Sequence, residues 1–100
     1  MGENMVREQL IEKALKKKVE QSSGLAIKFI SPSLVGIPDR LLLMPNGIVG
    51  FVEVKRPGGK LRRIQKKRIQ QLTELGFKCF VLDDIEMIDL MIKELMVSDV

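Results

Sequence analysis

The sequence predicts an α/β fold with the element order αβββαβα. Two observations predict it: apolar residues recur at helical spacing in three stretches, and four apolar runs of strand length lie among them, separated by Gly, Pro and Ser breaks. With 100 residues, 45% of them hydrophobic, the chain can bury one compact core and is too short for two. One domain over residues 1–100 is therefore expected.

From Glu3 to about Gln21, the residues Val6, Leu10, Ile11, Ala14, Leu15 and Val19 repeat at helical spacing, with Lys13, Lys16, Lys17 and Lys18 largely on the other side. This predicts an amphipathic helix closed by Ser22-Ser23-Gly24. LAIKFI (25–30) reads as the first strand, broken by Ser31-Pro32-Ser33, and Gly36-Ile37-Pro38 forces a turn before the second strand, RLLLM (40–44). Pro45-Asn46-Gly47 is a hairpin signal, so RLLLM and IVGFVEVK (48–55) are expected to pair antiparallel. Gly50 within that third strand suggests a bulge or a close backbone approach.

Arg56-Pro57-Gly58-Gly59 ends the third strand. Residues 61–76 follow as a second helix, with Leu61, Ile64, Arg68, Leu72 and Leu75 near one face and Gly76 as its stop. FKCFVL (77–82) is the fourth strand. Asp83-Asp84 can cap a last helix carrying Ile85, Ile88, Ile92 and Leu95 inward, and only the last few residues look frayed.

Several classes of function are excluded or disfavoured. No apolar run approaches the roughly 20 residues needed to cross a bilayer, and MGENMVREQL lacks the apolar stretch of a signal peptide, so a cytoplasmic protein without a membrane partner is expected. Cys79 is the only cysteine and there is no histidine, so a zinc site is implausible and any metal must be held by oxygen. Charge is unevenly spread: residues 83–100 hold six acids against Lys93, which leaves sixteen basic and seven acidic residues, a net +9, on the first 82. A basic body suits a polyanion such as nucleic acid. The absence of Trp and Tyr disfavours recognition of single strands by aromatic stacking, so backbone contacts are the expected route.

The chemistry centres on the third strand. Alternate strand residues share a face, so Glu53 and Lys55 point one way and Val52 and Val54 the other. Asp39 opens the strand that the hairpin lays alongside, and the register suggested by the turn brings it to the Glu53 end. Two carboxylates beside one lysine suit Mg²⁺, which favours one or two carboxylates together with waters and phosphate oxygens. Such an ion would polarise a phosphodiester and lower the pKa of a bound water. Lys55 would then orient that water or offset charge on phosphorus. Gln65, at i±4 from Leu61 and Ile69, could position the water or Lys55. Arg56, Lys60, Arg62, Arg63, Lys66 and Lys67 form a basic run that could hold the scissile strand.

The series Gly36-Ile37-Pro38-Asp39, Glu53-Val54-Lys55, Gly58-Gly59-Lys60-Leu61 and Gln65 resembles the VRR-NUC domain of the PD-(D/E)XK nuclease superfamily, from the first helix to the fourth strand. The resemblance implies a restriction-endonuclease-like core, a mixed sheet flanked by helices. It implies Asp39 and Glu53 as metal ligands, the backbone carbonyl of Val54 as a third contact, Lys55 as the catalytic lysine and Gln65 as an accessory polar residue. It also implies an acid in the first helix, best matched by Glu8, with Glu12 one turn later as the alternative. Stand-alone copies of this size resemble virus-encoded homodimers that cut branched DNA such as four-way junctions with Mg²⁺ or Mn²⁺. Larger relatives such as the Fanconi-associated nuclease carry further DNA-binding domains.

Plainer readings compete at each position. Glu53 and Lys55 could be a cross-strand ion pair on a solvated face, but Val49 and Phe51 share that face, and a half-buried carboxylate without a partner is costly. Asp39 could be a turn residue, Gln65 an exposed helix residue, and Glu8 and Glu12 solvated charges paired to lysines. The basic run could be a solvated face, yet Arg56 to Arg68 contains no acid. Methionines such as Met87, Met91 and Met96 fit core or a second-subunit interface. The rival functions are a non-catalytic DNA-binding module, an interaction domain without nucleic acid, and an exonuclease or flap nuclease of the same fold.

Overall fold

The computed structural model describes residues 2–97. The expected burial of Val6 and the expected fraying of the last residues lie outside the described side chains and residues. Helix α1 (Glu3–Gln21) leads into strands β1 (Leu25–Lys28), β2 (Arg40–Met44) and β3 (Ile48–Val54), then helix α2 (Arg63–Glu74), strand β4 (Lys78–Leu82) and helix α3 (Ile88–Met96). The order is the one that the hydrophobic pattern predicts, with strand ends trimmed by one or two residues.

The sheet runs β1-β2-β3-β4. The first two pairings are antiparallel and β3 pairs with β4 in parallel, so the sheet is mixed. The hairpin expected at Pro45-Asn46-Gly47 forms as a single 3-10 turn, with Asn46 at φ 66°. That turn fixes Met44 opposite Ile48 and Arg40 opposite Val52. A parallel fourth strand cannot be reached by a hairpin, and α2 supplies the crossover.

Strand alternation gives the sheet two different faces. Leu42, Val52, Val54 and Leu82 are buried with Ile11, Leu15 and Val19 of α1 and with Ile88, Met91 and Leu95 of α3, forming the main core. The opposite face carries Phe51 and Glu53 toward α2. There Phe51 meets Phe29 and Phe77 edge to face, at centroid distances of 6.2 and 5.6 Å.

Several apolar positions depart from the expected pattern. Leu10 is 53% exposed, because the buried stripe of α1 is the narrow i, i+4, i+8 row of Ile11, Leu15 and Val19. Leu75 is 73% exposed since α2 ends at Glu74 and Leu75 lies past its last turn. Ile85 falls in a 3-10 turn before α3 and stays exposed, while Met91 takes the inward place one turn after Ile88. Gly50 makes no bulge: it pairs in register with Leu42 and Lys78. Its value is space, since a Cβ there would lie 2.8 Å from Cδ1 of Leu95. On the same face Lys78 donates through Nζ to the carbonyls of Glu94 (3.0 Å) and Val97 (2.8 Å), which meets the unsatisfied end of α3.

Candidate active site

The loop before β2 is tied down at several points. The Phe29 amide donates to the Asp39 carbonyl at 2.8 Å, closing the loop at its base. Arg68 Nε donates to the Val35 carbonyl at 2.7 Å, holding the loop on α2. Gly36 adopts φ +88°, and a Cβ there would come within 2.8 Å of the Ile64 carbonyl oxygen, so only glycine allows this approach. Pro38 is fully buried. This loop delivers Asp39 to the end of β3, where its Oδ1 accepts the amide hydrogen of Val54 at 3.2 Å.

Glu53 follows from strand alternation and is only 5% exposed. Its Oε2 lies 3.6 Å from Lys55 Nζ and accepts a hydrogen bond from Gln65 Nε2 at 3.3 Å. Gln65 is equally buried, and its Oε1 accepts the Arg62 amide at 2.8 Å, one half of a capping box on α2. The edge-of-stripe position expected for Gln65 is thus a buried bridge between a helix start and a carboxylate. The structure brings Asp39, Glu53, Lys55 and Gln65 into one chain of contacts through the β2 and β3 ends.

The first helix adds to them. One carboxylate oxygen each from Glu8, Glu12 and Asp39 lie within 4.8 Å of one another. Glu8 and Glu12, the two alternatives for a first-helix acid, are one turn apart on the same face of α1 and both reach Asp39. Arg40 is a site residue that the sequence motifs do not mark. Its guanidinium holds Glu12 at 2.9 Å, with both side chains largely buried. The strand register carries the signal for it, since the residue after Asp39 must face α1 if Asp39 faces Glu53.

Burial dominates the electrostatics. It lifts the Glu53 carboxyl above its ordinary 4.5, reinforced by the charge of Asp39 and opposed by Lys55. It lifts Asp39 above 3.8, opposed chiefly by the Val54 hydrogen bond and by Arg40. The donors are all hard oxygens, a set that fits Mg²⁺ or Mn²⁺ and excludes a thiolate or imidazole metal. Carboxylates crowded together at such a cost have an evident use if a divalent cation joins them.

Arg56, Lys60, Arg62, Arg63, Lys66 and Lys67 are all exposed. Arg68, the last cation of the same run, is engaged by Val35 and by Gln71.

The chain matches the family model of the VRR-NUC domain over residues 2–83. It is 44% identical over 79 residues to a phage protein, "Putative nuclease p44" of Acyrthosiphon pisum secondary endosymbiont phage 1, covering 79% of this chain and 85% of that one. A solved structure described as a VRR-NUC domain superposes with a TM-score of 0.81 at 27% identity, over 87% of this chain and 95% of the other.

Proposed function

The chain belongs to the VRR-NUC domain family, and from that membership we propose that it is a metal-dependent DNA endonuclease, selective for branched DNA such as four-way junctions and active as a homodimer. The observation that carries the reading is the buried Gln65–Glu53–Lys55 contact set beside Asp39, one helix turn from an exposed, acid-free run of cations. A DNA-binding module without catalysis has no use for buried acids next to a phosphate path.

Glu8, Glu12, Asp39 and Glu53, with the Val54 carbonyl, are the groups that would hold Mg²⁺ or Mn²⁺. When bound, the ion supplies Lewis acidity to the scissile phosphate. Gln65 fixes the rotamer of Glu53 through its amide, and Glu53 in turn holds the Lys55 ammonium in place. Lys55 serves either to orient the attacking water or to stabilise charge developing on the phosphoryl oxygens. Arg56, Lys60, Arg62, Arg63, Lys66 and Lys67 hold the DNA backbone and position the strand.

Exposed Met87 and Leu90 of the α3 region and Val81 of β4 form apolar surface consistent with a second subunit. Among the described residues no helix is long and apolar enough to cross a membrane, and the phage relative supports a virus-encoded enzyme acting in its host cell.

The test is cleavage of a labelled four-way junction, a linear duplex, a single strand of the same sequence and a covalently closed circle, with Mg²⁺, Mn²⁺ or EDTA. Metal-dependent cutting of the junction by wild type, abolished in Lys55→Ala, is expected. Binding without cutting under every condition would replace the reading with a non-catalytic module. Uncut covalently closed circles beside cut linear DNA would replace it with an exonuclease.

A further inference from the structure

The carboxylates sit between two sets of cations, those of α2 on one face of the sheet and a second set beside α1. On the other face of the sheet, α1 and the β1–β2 edge enclose a groove of about 310 Å³. Lys13, Lys16, Lys28 and Arg40 line it, with Glu12 as the single acid, over a floor of Leu15 and Ala26. Glu12 is already paired to Arg40 at 2.9 Å. Lys16 has only a loose, exposed contact with Glu20 at 4.0 Å, a pair that exchanges readily. Lys28 and Arg40 are direct cross-strand partners, and like charges in that position are destabilising. Four cations against one acid leave the groove with a net charge of +3, which an anion would offset.

We propose that this groove is a second phosphodiester-binding track. It takes the DNA backbone on the side of the carboxylates opposite the α2 cations, so that the substrate is gripped from both faces of the sheet. The inference rests on the nucleic-acid reading above. Glu12 and Arg40 make the groove continuous with the candidate active site: Glu12 belongs to the carboxylate trio, and Arg40 follows Asp39 in the chain. The track suits a string of singly charged phosphates, because lysines at separate positions match charges spaced along a backbone better than one compact ligand. Its apolar floor carries no group that would read a base, so binding here adds affinity without sequence preference.

The experiment is DNA binding in EDTA, which silences cutting, across a range of salt, with four-way junction DNA and three proteins. They are wild type, Lys16→Gln/Lys28→Gln, and Lys17→Gln/Lys93→Gln. The last removes the same charge from exposed positions outside the groove. Removing one lysine–phosphate pairing lowers the slope of log K against log salt by about 0.7–0.9. The groove variant is expected to drop by roughly 1.4–1.8 in slope if both lysines touch phosphate, and the control is expected to keep the wild-type slope. Equal slopes in the groove variant and wild type would overturn the track and leave the nuclease reading standing, as would an equal fall in both variants. Wild-type binding that ignores salt would instead overturn the nucleic-acid reading itself. Thermal melting of all three proteins confirms that these exposed substitutions leave the fold intact.

Discussion

Gln65 Nε2 lies 3.3 Å from Glu53 Oε2, so the first turn of α2 and the end of β3 share one buried hydrogen bond. The same side chain accepts the Arg62 amide. One glutamine therefore does two jobs, starting a helix and aiming a carboxylate.

These jobs can be separated. Gln65→Ala removes both and should cost about 1 kcal/mol for the missing cap, with a further fall in cleavage of roughly 10- to 100-fold, the usual scale for a positioning group around a metal site. Gln65→Glu keeps an acceptor for Arg62 but sets a second buried carboxylate against Glu53, so it should hold the cap at low pH, where the pair is protonated, and lose both stability and activity at neutral pH. Thermal melting and junction cleavage on the two variants read the two roles. Full activity in Gln65→Glu would show that the amide donor is dispensable.

Neutralising the buried acids should stabilise the metal-free protein. Burial raises Glu53 and Asp39 above their ordinary 4.5 and 3.8. A raised carboxyl binds its proton more tightly folded than unfolded. Its stabilisation is thus complete below the ordinary value and is lost as pH climbs through the raised one. In EDTA the melting temperature of Glu53→Gln minus that of wild type should widen as pH rises from about 4 to about 8. A gap that narrows over that range would contradict the burial argument.

Divalent cation should reverse the order at neutral pH. At a hundredfold excess over Kd, Mg²⁺ or Mn²⁺ contributes about 2.7 kcal/mol to the folded state, a shift of roughly 10–20 °C for a domain of this size. Asp39→Asn should lose most of that shift together with cleavage, while salt-sensitive DNA binding persists. Calorimetric titration checks it directly, and an unchanged metal affinity in Asp39→Asn would remove Asp39 from the ligand set.

Arg40 compensates Glu12, one member of the carboxylate trio. Arg40→Met leaves that charge unpaired and should destabilise the metal-free protein by about 1–3 kcal/mol. Divalent cation should restore much of the loss, since it substitutes for the missing positive charge. Denaturant melts with and without Mn²⁺ measure both effects, and a loss that metal does not change would show that Arg40 acts by packing alone.

Gly50→Ala tests the packing that sets the β3 register. Its Cβ would meet Leu95 at 2.8 Å, and an overpacked core typically costs about 1–3 kcal/mol. Leu95→Val alongside should recover part of the loss in thermal melts. No recovery would mean that the cost lies in the strand itself.

Much of this is legible in the sequence. Helical spacing places α1 at its observed bounds, and Pro45-Asn46-Gly47 marks the hairpin whose register aligns Asp39 with Glu53. The two-residue period puts Glu53 and Lys55 on one face. What stays hidden is set by contacts between distant segments. Gln65 looks half-committed to solvent because its burial depends on where α2 crosses the sheet. Glu8 and Glu12 cannot be ranked because both lie on one face of a helix, and only the third dimension shows that both reach Asp39. Gly50 reads as a bulge because the sequence does not reveal that Leu95 leans on it.

The 3-10 turn at Pro45–Gly47 closes the β2–β3 hairpin at the end away from Asp39 and Glu53, and a Cβ at Gly47 would meet nothing within 4 Å. With strands rising about 3.3 Å per residue, the tip stands roughly 17 Å or more from the carboxylates. It is the natural place to splice in a fluorophore tag or a surface tether, because a guest there lengthens a solvent-facing tip while the paired strands keep the far end in register.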